Sequence, residues 1–156
     1  MKKIVAIIGI LLIVLSGCNS TTENQRNAFN NNDIIIESDD TYNFQSRLGK
    51  IGPDEFNKHE IEYKKFYGTY TLWSISSEIE TEITINVTSE VDSGDFKLVI
   101  INSKNEVENI FEGSGFIKET IIIGEGDSRI KMVGNRASGS VQIEIELDES
   151  IELVKL

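Results

Sequence analysis

The chain has one cysteine, Cys18, and one histidine, His59, the two residue types most often used in nucleophilic catalysis. Such catalysis needs a base held beside a nucleophile. Cys18 ends an apolar run at the start of the chain, and His59 lies beside Asp54, Glu55 and Lys58 in a segment that we interpret as a solvated loop. The chain contains no Gly-x-Ser-x-Gly, no phosphate-binding glycine loop and no His-Glu-x-x-His. The sequence therefore predicts a protein that is not an enzyme.

Carboxylates are abundant, with 26 Asp and Glu against 15 Lys and Arg. A pair of carboxylates is the machinery of a glycosidase, so a hydrolase stays open as an alternative. Calcium takes oxygen ligands alone, but no stretch matches the D-x-[DN]-x-[DN]-G loop. The acids considered as ligands are Asp92, Asp95, Glu125 and Asp127 in glycine turns and Glu78, Glu80 and Glu82 along one strand. We interpret them as turn residues and a solvated face, and predict no metal site and no cofactor.

Tyr67, Tyr70 and Trp73 form a short aromatic run of the kind on which sugars stack. Side chains alternate along a strand, so Tyr67 and Trp73 share one face and Tyr70 lies on the other. Tyr67 and Trp73 are therefore the candidate residues of a ligand platform. Because aromatic side chains dominate protein cores by buried area, we favour a core position for Trp73.

The elements that carry these residues begin with residues 1–18, MKKIVAIIGILLIVLSGC. Two lysines precede an apolar run from Ile4 to Leu15, which is the pattern of a secretory signal. An uncleaved transmembrane helix is the alternative, but spanning needs roughly 20 apolar residues and this run is shorter. A soluble secreted protein cut elsewhere would expose the single thiol of Cys18, which is unusual in an oxidising compartment.

The sequence Leu15-Ser16-Gly17-Cys18 resembles the lipobox of bacterial lipoproteins. The resemblance implies cleavage between Gly17 and Cys18, with a diacylglycerol lipid on the thiol of Cys18. It also implies an extracytoplasmic protein anchored to the bacterial cell membrane. Two acyl chains anchor stably where one gives only marginal binding. Residues 1–17 are then the lipoprotein signal peptide.

Two segments follow the anchor. Residues 18–33 are rich in asparagine and poor in apolar side chains, which predicts a disordered tether after the lipidated cysteine. Residues 34–59 predict a mixed linker. Within it, Ile34–Ile36 suit an edge strand, and Phe44, Leu48 and Ile51 have helical spacing before Gly52-Pro53.

Residues 60–156 predict a β-sandwich domain. Strands are indicated over 60–66, 67–76, 79–87, 96–101, 106–111, 116–123, 128–133 and 140–147, with turns near Gly68, at Asp92–Asp95 and over Gly134–Gly139. Residues 151–156 suit a short edge strand. Short strands at this spacing favour an all-β fold: a two-sheet antiparallel sandwich, jelly-roll or Ig-like, of about seven strands. Two stacked sheets bury both apolar faces.

The stretches FKLVIINSKNEVENIF, ETIIIGEGDSRIKMVG and GSVQIEIEL resemble the C-terminal β-sandwich modules of secreted bacterial proteins, of the pre-peptidase C-terminal type. The resemblance implies an accessory module that sometimes binds glycan.

The net charge of the chain is −11, and it becomes −13 once Lys2 and Lys3 are removed with the signal peptide. This charge argues against nucleic acid and anionic lipid surfaces as partners, because both need basic patches. The sequence thus predicts a membrane-anchored envelope lipoprotein with a non-catalytic binding or structural module. The candidate partners are an envelope protein or a wall glycan. Carbohydrate binding is the first alternative function, and a lipid-tethered hydrolase is the second.

Overall fold

The computed structural model of this chain describes residues 20–50, 56–147 and 151–156. Two short helices and a 3-10 turn precede eight strands, and every strand pair is antiparallel. The elements are α1 (Glu23–Asn27), the 3-10 turn (Ala28–Asn30), α2 (Asn32–Ile35), β1 (Tyr42–Asn43), β2 (Ser46–Lys50), β3 (Lys58–Ser77), β4 (Thr81–Ile101), β5 (Val107–Glu112), β6 (Gly115–Ile123), β7 (Gly126–Glu146) and β8 (Ile151–Lys155).

Three long strands, β3, β7 and β4, lie side by side with β7 in the middle, and each passes through both layers of a sandwich. In what we call the front layer, the first halves of β3 and β4 and the second half of β7 are flanked by β2 and β6. In the back layer, the other halves are flanked by β1, β8 and β5. The predicted all-β antiparallel sandwich is confirmed.

The long strands bend where the pairing register shifts, at Tyr63/Phe66 and Phe66/Gly68 in β3 and between Val91 and Asp95 in β4. An extra residue in one strand of a pair increases the local twist and bends the strand. The turns predicted near Gly68, at Asp92–Asp95 and over Gly134–Gly139 are therefore wrong, because each strand continues through them. The signal was misleading because Gly68 and Gly94 have positive φ, at 95° and 74°, a conformation that occurs in some bulges as well as in turns.

Aromatic contacts join the two layers across the core. The ring of His59 in the front layer meets that of Trp73 in the back layer at 4.3 Å, and Tyr63 stacks on Phe96 at 5.3 Å. His59 was predicted in a solvated loop, and this prediction is wrong because it occupies an inward position of β3 and is buried. Its Nε2 donates a hydrogen bond to the carbonyl of Leu72 at 3.2 Å, which offsets part of the cost of burying the uncharged imidazole.

The N-terminal segment covers the outer face of the back layer. Ala28, Phe29 and Ile35 are buried against the outward side chains Val99, Ile101 and Val133. The prediction of a disordered tether over 18–33 is therefore wrong for residues 20–33, which are ordered because this apolar strip of the sheet accepts their few apolar side chains. The run Ile34–Ile36, predicted as an edge strand, begins in helix α2.

The linker predicted over 34–59 contains sheet edges. Phe44 and Leu48 were predicted on a helix, but residues 42–43 and 46–50 form β1 and β2, which pair with β3. Ile51, the third member of that pattern, lies outside the described residues. The edge pairing predicted for 151–156 is present as β8. No helix in the described part of the chain has the length and apolar character needed to cross a bilayer.

Candidate ligand-binding groove

The predicted platform of Tyr67 and Trp73 does not form. Trp73 has no exposed surface, and its Nε1 donates a hydrogen bond to the carbonyl of Phe56 at 2.9 Å. The favoured core position of Trp73 is therefore confirmed and the platform is excluded for it. Tyr67 is half-buried at the bend of β3, and register shifts between the two residues break the strand alternation on which the platform relied.

Gly17 and Cys18, the predicted cleavage and lipidation residues, lie outside the described residues. Within residues 20–50, 56–147 and 151–156, no three His, Cys, Asp or Glu side chains are placed to hold a metal ion together.

The outer face of the front layer is covered by no described segment, in contrast to that of the back layer. Cross-strand pairing arranges its outward side chains in rows that cross β3, β7, β4 and β6. At a strand spacing of about 4.8 Å, a four-strand row is roughly 14 Å wide. One row contains Glu60, Gln142, Thr88 and Phe116, and the next contains Lys58, Glu144, Asn86 and Lys118.

Three depressions follow one another along β7, and together we call them the β7 groove. The first is lined by residues Gln142 to Glu144 of β7, the second by Ser138 to Ser140, and the third by Asn135, Arg136 and Ser138. The stretch of β7 from Glu144 to Asn135 would be about 30 Å long if fully extended. The groove is thus at most about 30 Å long, a length that spans several units of an extended polymer.

The first depression has a volume of about 210 Å³ and an exposed aromatic ring at its side. Phe116 is 66% exposed, and beside it lie the polar side chains of Thr88, Gln142 and Asn86. The Asn86 amide donates to the carboxylate of Glu146 at 3.0 Å. An apolar ring beside amide and hydroxyl groups can bind a ligand that has both a C–H face and hydroxyl groups.

Glu146 also accepts a hydrogen bond from Lys118 at 2.9 Å. This bond, with a second from Asn86, lowers the pKa of the Glu146 carboxyl. Glu146 is therefore ionised at neutral pH, so it can accept hydrogen bonds but is a poor proton donor.

The second depression, about 500 Å³, is acidic. Glu62, Glu90 and Asp92 line it with one cation, Lys64, and with serine hydroxyls. Carboxylates accept hydrogen bonds and cannot donate them when ionised, so this part of the groove suits ligands rich in hydroxyl donors.

The third depression, which we call the bend pocket, is basic and also has a volume of about 500 Å³. The bulges of all three long strands meet there, and the lining includes Lys64, Lys65 and Arg136 with one acid, Asp95. Asp95 accepts a hydrogen bond from the Asn135 amide at 3.0 Å. The bend pocket shares Lys64 and Ser138 with the acidic depression, so the two adjoin.

Of the candidate site residues considered from the sequence, Tyr67 and Asp95 line the bend pocket and Asp92 lines the acidic depression. The alternation over Ile79–Val87 and Ser140–Leu147 did indicate polar faces on both strands. It could not show that these faces lie side by side, because the paired residues of these two segments are more than fifty positions apart in the sequence.

No protein-family model and no curated protein matches this chain. Solved structures with similar folds include a family 35 carbohydrate-binding module from an environmental isolate, at 13% identity over 74% of this chain and 94% of that chain, with a TM-score of 0.42. TmCBM61 in complex with β-1,4-galactotriose is 10% identical over 87% of this chain and 98% of that chain, with a TM-score of 0.36. The exo-β-1,3-galactanase of Phanerochaete chrysosporium is 12% identical over 70% and 30%, with a TM-score of 0.40. At these identities and TM-scores the similarities carry no inference about a ligand or an activity.

Proposed function

We propose that this chain is a non-catalytic, membrane-anchored lipoprotein whose β7 groove binds an extended glycan. The observation that carries the proposal is the run of three depressions, lined largely by polar side chains, along the central strand of a sheet face that no described segment covers. An extended polymer with hydroxyl groups along its length fits such a run better than a compact ligand does.

The composition of the face favours a glycan over a protein partner. Protein interfaces have an apolar, closely packed centre with a polar rim. Here polar side chains occupy the middle of the face, and the exposed apolar residues Leu48, Phe116 and Ile122 stand on the two edge strands, β2 and β6. Sugars supply many hydroxyl groups for the amides and carboxylates in the middle, and an apolar ring face for Phe116.

Phe116 provides the test of glycan binding. Affinity would be measured by calorimetry on the full chain in mild detergent, with neutral oligosaccharides of glucose, mannose, galactose, xylose and N-acetylglucosamine as probes. For the sugar that binds, Phe116→Ala should weaken binding at least about tenfold, equivalent to roughly 1.4 kcal/mol. Ile122 lies on the same face of β6, is 65% exposed and does not line the groove, so Ile122→Ala is the matched control.

Equal weakening by both variants, or no binding of any probe, would refute a glycan site at Phe116. The rival function, a lipid-tethered hydrolase, predicts new reducing ends when the bound oligosaccharide is incubated with the protein. A binding module returns the oligosaccharide unchanged.

The anchor rests on the lipobox resemblance at Leu15-Ser16-Gly17-Cys18 and is tested separately. Cys18→Ala should release the protein from the membrane fraction or leave it unprocessed. Fatty-acid labelling that persists in Cys18→Ala would rule the anchor out.

A further inference from the structure

The bend pocket is lined by three cations that have no partner among the described residues, in a chain with far more acids than bases. The chain has 15 Lys and Arg against 26 Asp and Glu, so cations have a choice of carboxylates to pair with. In the described part of the chain, the side chains of Lys64, Lys65 and Arg136 make neither a hydrogen bond nor an ion pair. Among the lining residues only Asp95 opposes them, and Asn135 already holds its carboxylate.

Two of these cations occupy backbone conformations that disfavour them. Lys65 has φ 47° and Arg136 has φ 56°, in the left-handed region that glycine and asparagine tolerate best. The only other non-glycine residue with positive φ in the described chain is Asn105, which is one of the tolerated types. Glycine would fit the bulges at 65 and 136 with less strain. Strained backbone of this kind concentrates at ligand-binding positions.

We infer that the bend pocket binds one phosphate or carboxylate group, carried by the glycan that occupies the rest of the β7 groove. This inference rests on the proposed glycan function and narrows its ligand. Three cations against one acid favour an anion, and a volume of about 500 Å³ admits the sugar unit that carries it.

The adjoining acidic depression disfavours a second negative charge on the ligand next to the one in the bend pocket. Glu62, Glu90 and Asp92 repel negative charge immediately beside the bend pocket. A polymer with an anion on every unit would therefore be opposed. The ligand that fits is a mostly neutral glycan with one isolated uronic acid or phosphate. Its anion would lie in the basic bend pocket, and its neutral units would lie in the acidic depression and in the depression beside Phe116.

The test compares one oligosaccharide that ends in a uronic acid with the same oligosaccharide after reduction of its carboxyl to an alcohol. The full chain in mild detergent should bind the acid form at least about tenfold more tightly, and the preference should shrink between about 20 mM and about 500 mM salt because charge pairs are screened. Lys65→Gly and Arg136→Gly should abolish the preference while leaving affinity for the reduced form within about twofold. Both variants should fold, because glycine relieves the positive φ.

Two matched controls separate charge and backbone effects from the pocket itself. Asn105→Gly makes the same backbone change at a positive φ in the β4–β5 turn, and Lys104→Gln removes an exposed cation from that turn. Both should keep the full preference for the acid form.

Equal affinity for the two oligosaccharides, or a preference that survives in Arg136→Gly, overturns the inference and leaves the glycan proposal standing. If neither oligosaccharide binds, sodium glucuronate is titrated while the backbone amide signals of residues 65 and 136 are followed by NMR. Shifts there would support an anion site and refute the glycan function. Binding to phosphatidylglycerol vesicles that is lost in Arg136→Gly, with no oligosaccharide bound, would overturn the inference in favour of a lipid headgroup.

Discussion

Asp40 links the N-terminal segment to the back layer by hydrogen bonds. We expect Asp40→Ala to be among the most destabilising single changes outside the apolar core. Its carboxylate accepts hydrogen bonds from the Thr71 amide at 2.6 Å, the Thr71 hydroxyl at 2.9 Å and Lys131 Nζ at 3.0 Å. The Lys131 side chain has no exposed surface. Without Asp40 its ammonium would keep only the carbonyl of Glu37, at 2.7 Å.

The expected loss follows from this geometry. Removing one partner of a buried ion pair typically costs about 3–5 kcal/mol, because the other charge stays buried without compensation. The Asp40 side chain is 18% exposed, so water can partly replace it and the lower end of the range applies. We expect a loss of about 3 kcal/mol in unfolding free energy, which in a domain of this size lowers the melting temperature by roughly 10 °C.

The assay is urea unfolding followed by the fluorescence of Trp73, the single tryptophan, which is fully buried. The control is the double variant Asp40→Ala with Lys131→Met, which removes the buried ammonium together with its carboxylate partner. It should recover at least about 1.5 kcal/mol of the loss. A single variant that loses under about 1 kcal/mol, or a double variant no more stable than the single, would refute the reasoning.

The pH dependence gives an independent check. Burial lowers the pKa of Lys131, and the Asp40 carboxylate opposes this lowering. Without Asp40 the pKa falls further, so above the folded pKa the unfolded chain binds more protons than the folded one. The stability of Asp40→Ala should therefore rise with pH toward the ordinary lysine pKa of about 10.4, and rise more steeply than that of the unmodified chain.

Three further predictions concern other parts of the fold. Burial lowers the pKa of His59 to about 4, so the folded chain resists protonation of this imidazole. Between pH 6.5 and pH 4, the unfolding free energy of the unmodified chain should therefore fall by about 3 kcal/mol more than that of His59→Gln. Urea unfolding at a series of pH values measures this difference. Gly94→Ala should lower the unfolding free energy by about 3 kcal/mol or more, because its Cβ would lie 2.3 Å from the carbonyl oxygen of Arg136. Gly113→Ala, at φ 80° with nothing within 4 Å of the new Cβ, should lower it by only about 1 kcal/mol. Similar losses for the two variants would contradict the steric account. Phe29→Ala should cost about 3 kcal/mol and speed proteolysis near residue 29, whereas a true tether would be unaffected by the change.

Strand content could be predicted from the sequence because alternation is a local signal. The pattern over Ser140–Leu147 directs Val141, Ile143 and Ile145 inward, and all three are buried. In Phe96–Ile101, apolar side chains occur at both odd and even positions. Both faces of this segment are covered, one by the core and the other by the N-terminal segment. The local pattern could not distinguish a turn from a bulge, because glycine with positive φ occurs in both.

The order of residues 20–33 could not be predicted because it depends on a surface formed by distant strands. Ala28 and Phe29 are too few to form a core by themselves, so composition alone indicates disorder. The apolar strip of Val99, Ile101 and Val133 exists only after β4 and β7 have paired. The β7 groove was hidden for the same reason, since its lining comes from five strands.

The conformations of Lys65 and Arg136 link the architecture of this fold to the ligand that we propose. Bending three strands at one place requires bulges, and a bulge of the G1 type requires a residue with positive φ. Gly94 meets this requirement at 74° in β4 without strain. A chain selected for stability alone would also use glycine or asparagine at 65 and 136, since stabilising replacements of this kind are readily available to natural proteins. Long cationic side chains instead stand at both positions and face the same pocket. A bound anion would account for both choices together, because both cationic side chains line the same pocket.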